Sequence, residues 1–168
     1  MDQLNRILDE LKAPMVQTLT EWIAIPSIRD DAAPGAPFGK ELRIMLDKAL
    51  EDSKKMGFTT KDVDGYAGHA EMGKGADEDA LGILAHLDLV PLGDEWTKDP
   101  LGAEIVDGRM YGRGTSDDKG PAVAALYAML AVKKAGIPLK RKVRLILGCD
   151  EESGMECMLY YKQKETMP

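Results

Sequence analysis

Three short clusters collect residue types that bind cations and move protons. They are His86-Leu87-Asp88, the Asp117-Asp118 pair, and Asp150-Glu151-Glu152. His86 and Asp88 stand two apart at the end of an apolar run, so on a strand both face one way while Leu87 faces the other. A carboxylate beside a histidine can accept the proton of one ring nitrogen and leave the other free for a metal. The aspartate pair lies in Gly112-Arg113-Gly114-Thr115-Ser116-Asp117-Asp118-Lys119-Gly120-Pro121, just ahead of an apolar helical pattern. A helix dipole keeps carboxylates ionised there, and an ionised carboxylate can hold one cation or bridge two. Adjacent glutamates can divide labour, one on a metal and the other as general base.

Each cluster has a plainer reading when it stands alone. A strand-end histidine is commonly a hydrogen-bonded structural residue, and an acidic turn is commonly just solvated. A glycine-rich turn before a helix can cradle phosphate. This one lacks the Gly-Lys-Ser/Thr ending of a phosphate loop, and Asp117 and Asp118 would repel the anion, so metal is the better reading. His69 has only Glu71 near it in a hairpin and is read as structural. Cys149 is read as a neutral filler and Lys140-Arg141-Lys142 as solvated. Trp96 either lines a site or pins its own loop.

The elements that position these clusters follow from periodicity. Leu4, Ile7, Leu8 and Leu11, then Met15, Leu19, Trp22 and Ile23, mark one helical face, with a kink or fresh start expected at Pro14 and an end at Pro26. Residues 30–39 read as a loop. Leu42, Met45, Leu46, Ala49 and Leu50 mark a second helix stopped by Gly57. Asp64-Gly65 and Asp107-Gly108 each turn a hairpin. Residues 81–85 read as a strand buried on both faces, in the middle of a partly parallel sheet. Residues 91–102 form a long loop, and Pro121 opens a helix that Gly136 and Pro138 end. Residues 143–148 are a second buried strand and 155–164 a final helix. Helices alternating with buried strands give an α/β fold with a mixed, partly parallel sheet flanked by helices. Ligands in such sheets gather at the carboxyl ends of the strands, where His86 and Glu151 fall.

Composition narrows the function classes. Of 168 residues, 44% are hydrophobic, enough for a core. Twenty-nine acidic against 22 basic residues leave a net charge of −7, which disfavours nucleic acid. The start Met1-Asp2-Gln3-Leu4-Asn5-Arg6 lacks a signal-peptide pattern, and no apolar run suits a membrane span. Two cysteines are too few for a disulfide framework, so reduced thiols in the cytoplasm are expected.

The run Leu84-Ala85-His86-Leu87-Asp88-Leu89-Val90-Pro91, then Trp96 and Asp99-Pro100, then Tyr111 to Gly120, then Asp150-Glu151-Glu152-Ser153, resembles a dinuclear zinc peptidase family. That family includes dipeptidase V, carnosinases, aminoacylases and succinyl-diaminopimelate desuccinylase, and the dipeptidase V branch is the most similar. The resemblance implies a zinc-exopeptidase-like catalytic domain, incomplete here, with residues 1–168 as its N-terminal portion and the lid domain and C-terminal part absent. It implies two zinc ions, with His86 and Glu152 as ligands and Asp117 bridging. It further implies Asp88 as orienter of His86, a cis Asp117–Asp118 peptide, and Glu151 as general base. The activity implied is metal-assisted hydrolysis of a small peptide. An N-acyl-amino-acid deacylase and a non-catalytic metal-binding fragment are the alternatives. The incomplete site implies weak zinc binding and no activity of this chain alone, with self-association through exposed sheet edges.

Overall fold

The computed structural model describes residues 2–168. Helix α1 spans Asp2–Ile23 and buries Leu11, Trp22 and Ile23, with Leu4, Ile7, Met15 and Leu19 packed beside them; Leu8 is turned outward. It runs on through Pro14 as one helix, so of the kink or fresh start expected there no fresh start occurs. Pro14 and Glu10 both lie on the exposed side of α1, where a carbonyl without its helical donor can be hydrated. Helix α2, Lys40–Lys55, buries the predicted Leu42-Met45-Leu46-Ala49-Leu50 stripe. Strands β1, Thr59–Val63, and β2, Ala67–Met72, form an antiparallel hairpin. Asp64 and Gly65 both adopt the positive φ that this turn demands. Strand β3 is Leu81–His86, and β4, Glu104–Val106, with β5, Arg109–Tyr111, makes a separate two-stranded hairpin. Helix α3, Lys119–Lys134, crosses to strand β6, Val143–Gly148, and helix α4 is Glu156–Lys164.

The main sheet has the order β1-β2-β6-β3, antiparallel except for the β6–β3 pair. Strand β6 is buried along its whole length, as its apolar run requires. Strand β3 differs from expectation. It is an edge strand whose partner among the described residues is β6, and Leu81 and Leu84 are 52% and 55% exposed. Five apolar residues in a row state that a strand belongs to a sheet, but not its place in the order.

Adjacent residues of β2 show how the helices are layered. A Cβ at Gly68 would meet the side chains of Leu46 and Leu50 of α2, whereas His69 lies 2.7 Å, through Nδ1, from the hydroxyl of Tyr161 on α4. Neighbours on a strand point to opposite faces, so α2 and α4 cover opposite sides of the sheet. Helix α1 packs across α2 and α3. Its Trp22 indole donates to buried Asp52 at 2.9 Å, and its Thr18 meets Tyr127 of α3 at 2.8 Å. Arg144, inside β6, is 2% exposed and meets Glu71 at 2.9 Å and Asp77 at 3.0 Å. Lys142, expected to be solvated, folds back onto the same two carboxylates.

His69 is structural, as read from its surroundings. Burial, reinforced by the charge of Arg144, pushes its pKa down to about 4. The folded state therefore keeps it neutral while the unfolded chain protonates near 6.5. Its contribution is full above pH 6.5 and lost as pH falls toward 4, about 3 kcal/mol over that window. Urea unfolding at pH 7 and pH 4 should show a smaller acid-induced loss in His69→Gln than in the unaltered chain. Equal losses would contradict the assignment.

Candidate metal centre

Register places the site. His86 is the last residue of β3 and pairs with Gly148, the last residue of the parallel strand β6. Pairing persists one residue further, where the Leu87 amide donates to the Gly148 carbonyl at 2.8 Å. Just beyond, Asp88 accepts the amides of Glu151 and Glu152, so the residues past the two strand ends lie side by side. The loop ahead of α3 closes the third side.

His86 is held from several directions. Its main-chain N–H donates to Asp118 Oδ2 at 3.0 Å. Its Nδ1 lies 3.1 Å from the main-chain oxygen of Asp88 and 3.4 Å from that residue's carboxylate. Turning Nδ1–H to Asp88 leaves Nε2 facing outward, 3.0 Å from Asp117 Oδ1 and 3.8 Å from Glu151 Oε2. Burial disfavours the imidazolium, but the carboxylates of Asp88, Asp118 and Asp117 outweigh it and push the His86 pKa up to about 9.

Asp88 is buried, and its two oxygens accept the amides of Glu151 at 3.1 Å and Glu152 at 2.9 Å. Burial alone would raise its pKa. His86 and the two amides overcome that and hold it below the ordinary carboxylate value. One carboxylate thus orients the histidine and fixes the glutamate turn. Glu152 is pushed up from its usual value by burial, then by the charge of Asp117, with Glu151 and Asp88 adding to it against His86. Negative charge is crowded here beyond what one histidine neutralises. Ligand atoms of His86, Glu151 and Glu152 fall within 4.8 Å of one another. Asp117, 74% exposed, lies on the open side, and the Asp117–Asp118 peptide is cis, as the resemblance implies. One imidazole nitrogen with several carboxylates is a donor set that fits a divalent cation.

Not every acidic residue of the clusters joins the site. Asp150 is fully buried and turned away, paired with Arg29 and accepting the Glu156 amide at 3.0 Å. Cys149 is buried, and its thiol is pushed well above the ordinary value by burial, which fits a filler. Trp96 pins its loop: its indole donates to the Leu92 carbonyl at 2.7 Å, and Arg113 sits over the ring. Lys119 is wholly buried, with Nζ donating to the carbonyls of Trp22 at 2.9 Å and Ile25 at 2.7 Å. Burial pushes its pKa down to about 7. Only its place beside the aspartate pair hinted at it, since a lysine ahead of a helix is ordinarily solvated.

Known proteins are similar to this chain in sequence and fold. Residues 82–165 match Peptidase family M20/M25/M40. The chain is 47% identical over 159 residues to "Putative dipeptidase YtjP" of Bacillus subtilis, covering 94% of this chain and 34% of that protein. Among solved structures it superimposes on human carnosine dipeptidase 1 with a TM-score of 0.81 at 29% identity, covering 97% of this chain and 38% of the other. An M20 metallo-carboxypeptidase from Sulfolobus solfataricus shares the fold, with a TM-score of 0.72 at 24% identity, covering 91% of this chain and 35% of that one. The chain spans about a third of the length of the curated relatives it matches. With the match spanning half its length, and the site residues inside it, the chain belongs to peptidase family M20/M25/M40.

Proposed function

We propose that this chain carries most of the metal centre of a zinc-dependent dipeptidase. The observation that supports it most is the meeting of His86 Nε2, Asp117 Oδ1 and Glu151 Oε2 at the carboxyl ends of the two parallel strands. The dipeptidase name borne by the Bacillus relative and the similarity to carnosine dipeptidase favour a dipeptide over an acylated amino acid. His86 and Glu152 would each hold one zinc ion and Asp117 would bridge the two. Bound zinc would supply a Lewis acid that polarises the scissile carbonyl and acidifies water.

The remaining chemistry belongs to the chain. Glu151, its side chain 43% exposed beside His86, takes a proton from the attacking water and passes it to the leaving amine. Asp88 keeps the His86 ring in one orientation and, through two amides, keeps Glu151 and Glu152 in register with it. An apolar recess of about 190 Å³, lined by Leu84, Ala85, Met155 and Met158, opens beside His86 and Glu151.

In this reading residues 1–168 form the N-terminal portion of a catalytic domain. Two four-coordinate zinc ions sharing one water need about six protein ligand positions. His86, Glu152 and a bridging Asp117 fill four of them, so the isolated chain binds zinc weakly and is inactive alone. The open edge of β3, with exposed Leu81 and Leu84, favours self-association of the isolated chain. No helix among the described residues is long and apolar enough to cross a membrane, and the free thiols of Cys149 and Cys157 fit a cytoplasmic setting. The test joins this chain to the part of a full-length relative it does not cover and assays dipeptides beside N-acyl amino acids, with and without zinc. Zinc-dependent dipeptide cleavage is expected. Turnover of acyl substrates alone would make it a deacylase, and no turnover of either would leave a metal-binding fragment.

A further inference from the structure

The last two residues of the loop ahead of α3 and the first residue of α3 grip three different parts of the molecule. Asp117 lies against the His86 ring, Asp118 accepts the His86 main-chain N–H, and Lys119 reaches the end of α1. We propose that Lys119 is a positioning residue, tethering the metal-binding loop to carbonyls at and just beyond the C-terminus of α1 and so fixing Asp117 and Asp118 against His86. The inference rests on the metal-centre reading above.

The end of a helix attracts a cation through its dipole, and a carbonyl oxygen has room for a second donor. Lys119 uses both features, with Nζ shared between the oxygens of Trp22, in the last turn of α1, and Ile25, two residues beyond it, each of which also accepts a main-chain N–H. Those partners lie 97 and 94 residues away in sequence, so the bonds fasten the loop to a distant element. The loop is built to sit down on that element. A Cβ at Gly112 would lie 3.0 Å from the Ile23 side chain, and one at Gly114 would lie 3.4 Å from Ile23 and 3.3 Å from the Lys119 stem. At Gly120 a Cβ would strike the Thr115 carbonyl oxygen at 2.0 Å, so the backbone folds tightly around the lysine. A direct part in the reaction is excluded by access: Lys119 is 0% exposed and its ammonium is committed to main chain. Its effect on the site runs through its neighbours.

The test uses zinc titration by calorimetry and cobalt(II) absorption spectra at saturation, with circular dichroism to verify folding. Lys119→Met keeps the stem and removes the tether. It should fold, bind zinc at least tenfold more weakly than the unaltered chain and shift the cobalt band, which a merely structural residue would leave in place. Lys119→Arg keeps charge and donors on a differently shaped head, and should fall between the two. Unaltered affinity and an unaltered band in folded Lys119→Met would overturn the proposal. If that variant fails to fold, the cobalt band of Lys119→Arg decides by the same criterion, and loss of the fold in both assigns Lys119 to folding alone and overturns it. Absence of metal uptake by the unaltered chain would overturn the metal reading itself, and this inference with it.

Discussion

Glu151→Gln, in an enzyme completed by the remainder of a relative, is expected to keep its metal and lose turnover by roughly a hundredfold or more. The substitution is isosteric, so the turn that Asp88 holds through the amides of Glu151 and Glu152 stays in place. What disappears is the basic oxygen 3.8 Å from His86 Nε2, the atom assigned to proton transfer. Metal analysis and steady-state rates on the same preparation separate the two roles. Retention of metal with loss of rate supports Glu151 as base and Glu152 as ligand. Loss of metal from Glu151→Gln, with retention in Glu152→Gln, would exchange the two glutamates.

The aspartate pair should divide just as sharply. Asp117→Ala removes the carboxylate proposed to bridge both ions, so both positions should empty or one remain weakly held. Asp118→Ala should spare at least one. Its carboxylate is spent on the main-chain N–H of His86 at 3.0 Å, so its loss should instead appear as a destabilisation of about 1–3 kcal/mol. Metal content by mass spectrometry, paired with thermal melting, reads both effects. Equal metal retention by the two variants would remove Asp117 from the bridging role.

Much of the fold is legible in the sequence. The Leu42-to-Leu50 stripe, the Asp64-Gly65 turn and the Pro121 helix start each carry a local physical signal, and each stands where that signal puts it. His86 and Asp88 were readable as a pair because a strand returns to the same face every second residue. What escaped notice depended on distant partners. Nothing in residues 81–86 states that β3 lies at the edge, because edge or centre is decided by which strands pair with it. Pro14 suggests a kink or fresh start, yet α1 continues through it, because the face on which a proline falls is set by packing against distant elements. Asp150 and Lys119 share the chemistry of their neighbours, yet Arg29 and the end of α1, each about a hundred residues away or more, draw them out of the site.

Zinc-edge anomalous diffraction from crystals grown with zinc tests the central claim most directly. The predicted result is an anomalous peak between His86 Nε2 and the carboxylates of Asp117 and Glu152, lost in His86→Ala. A zinc peak elsewhere on the chain, or one that persists at this place in His86→Ala, would contradict the assignment of the metal centre.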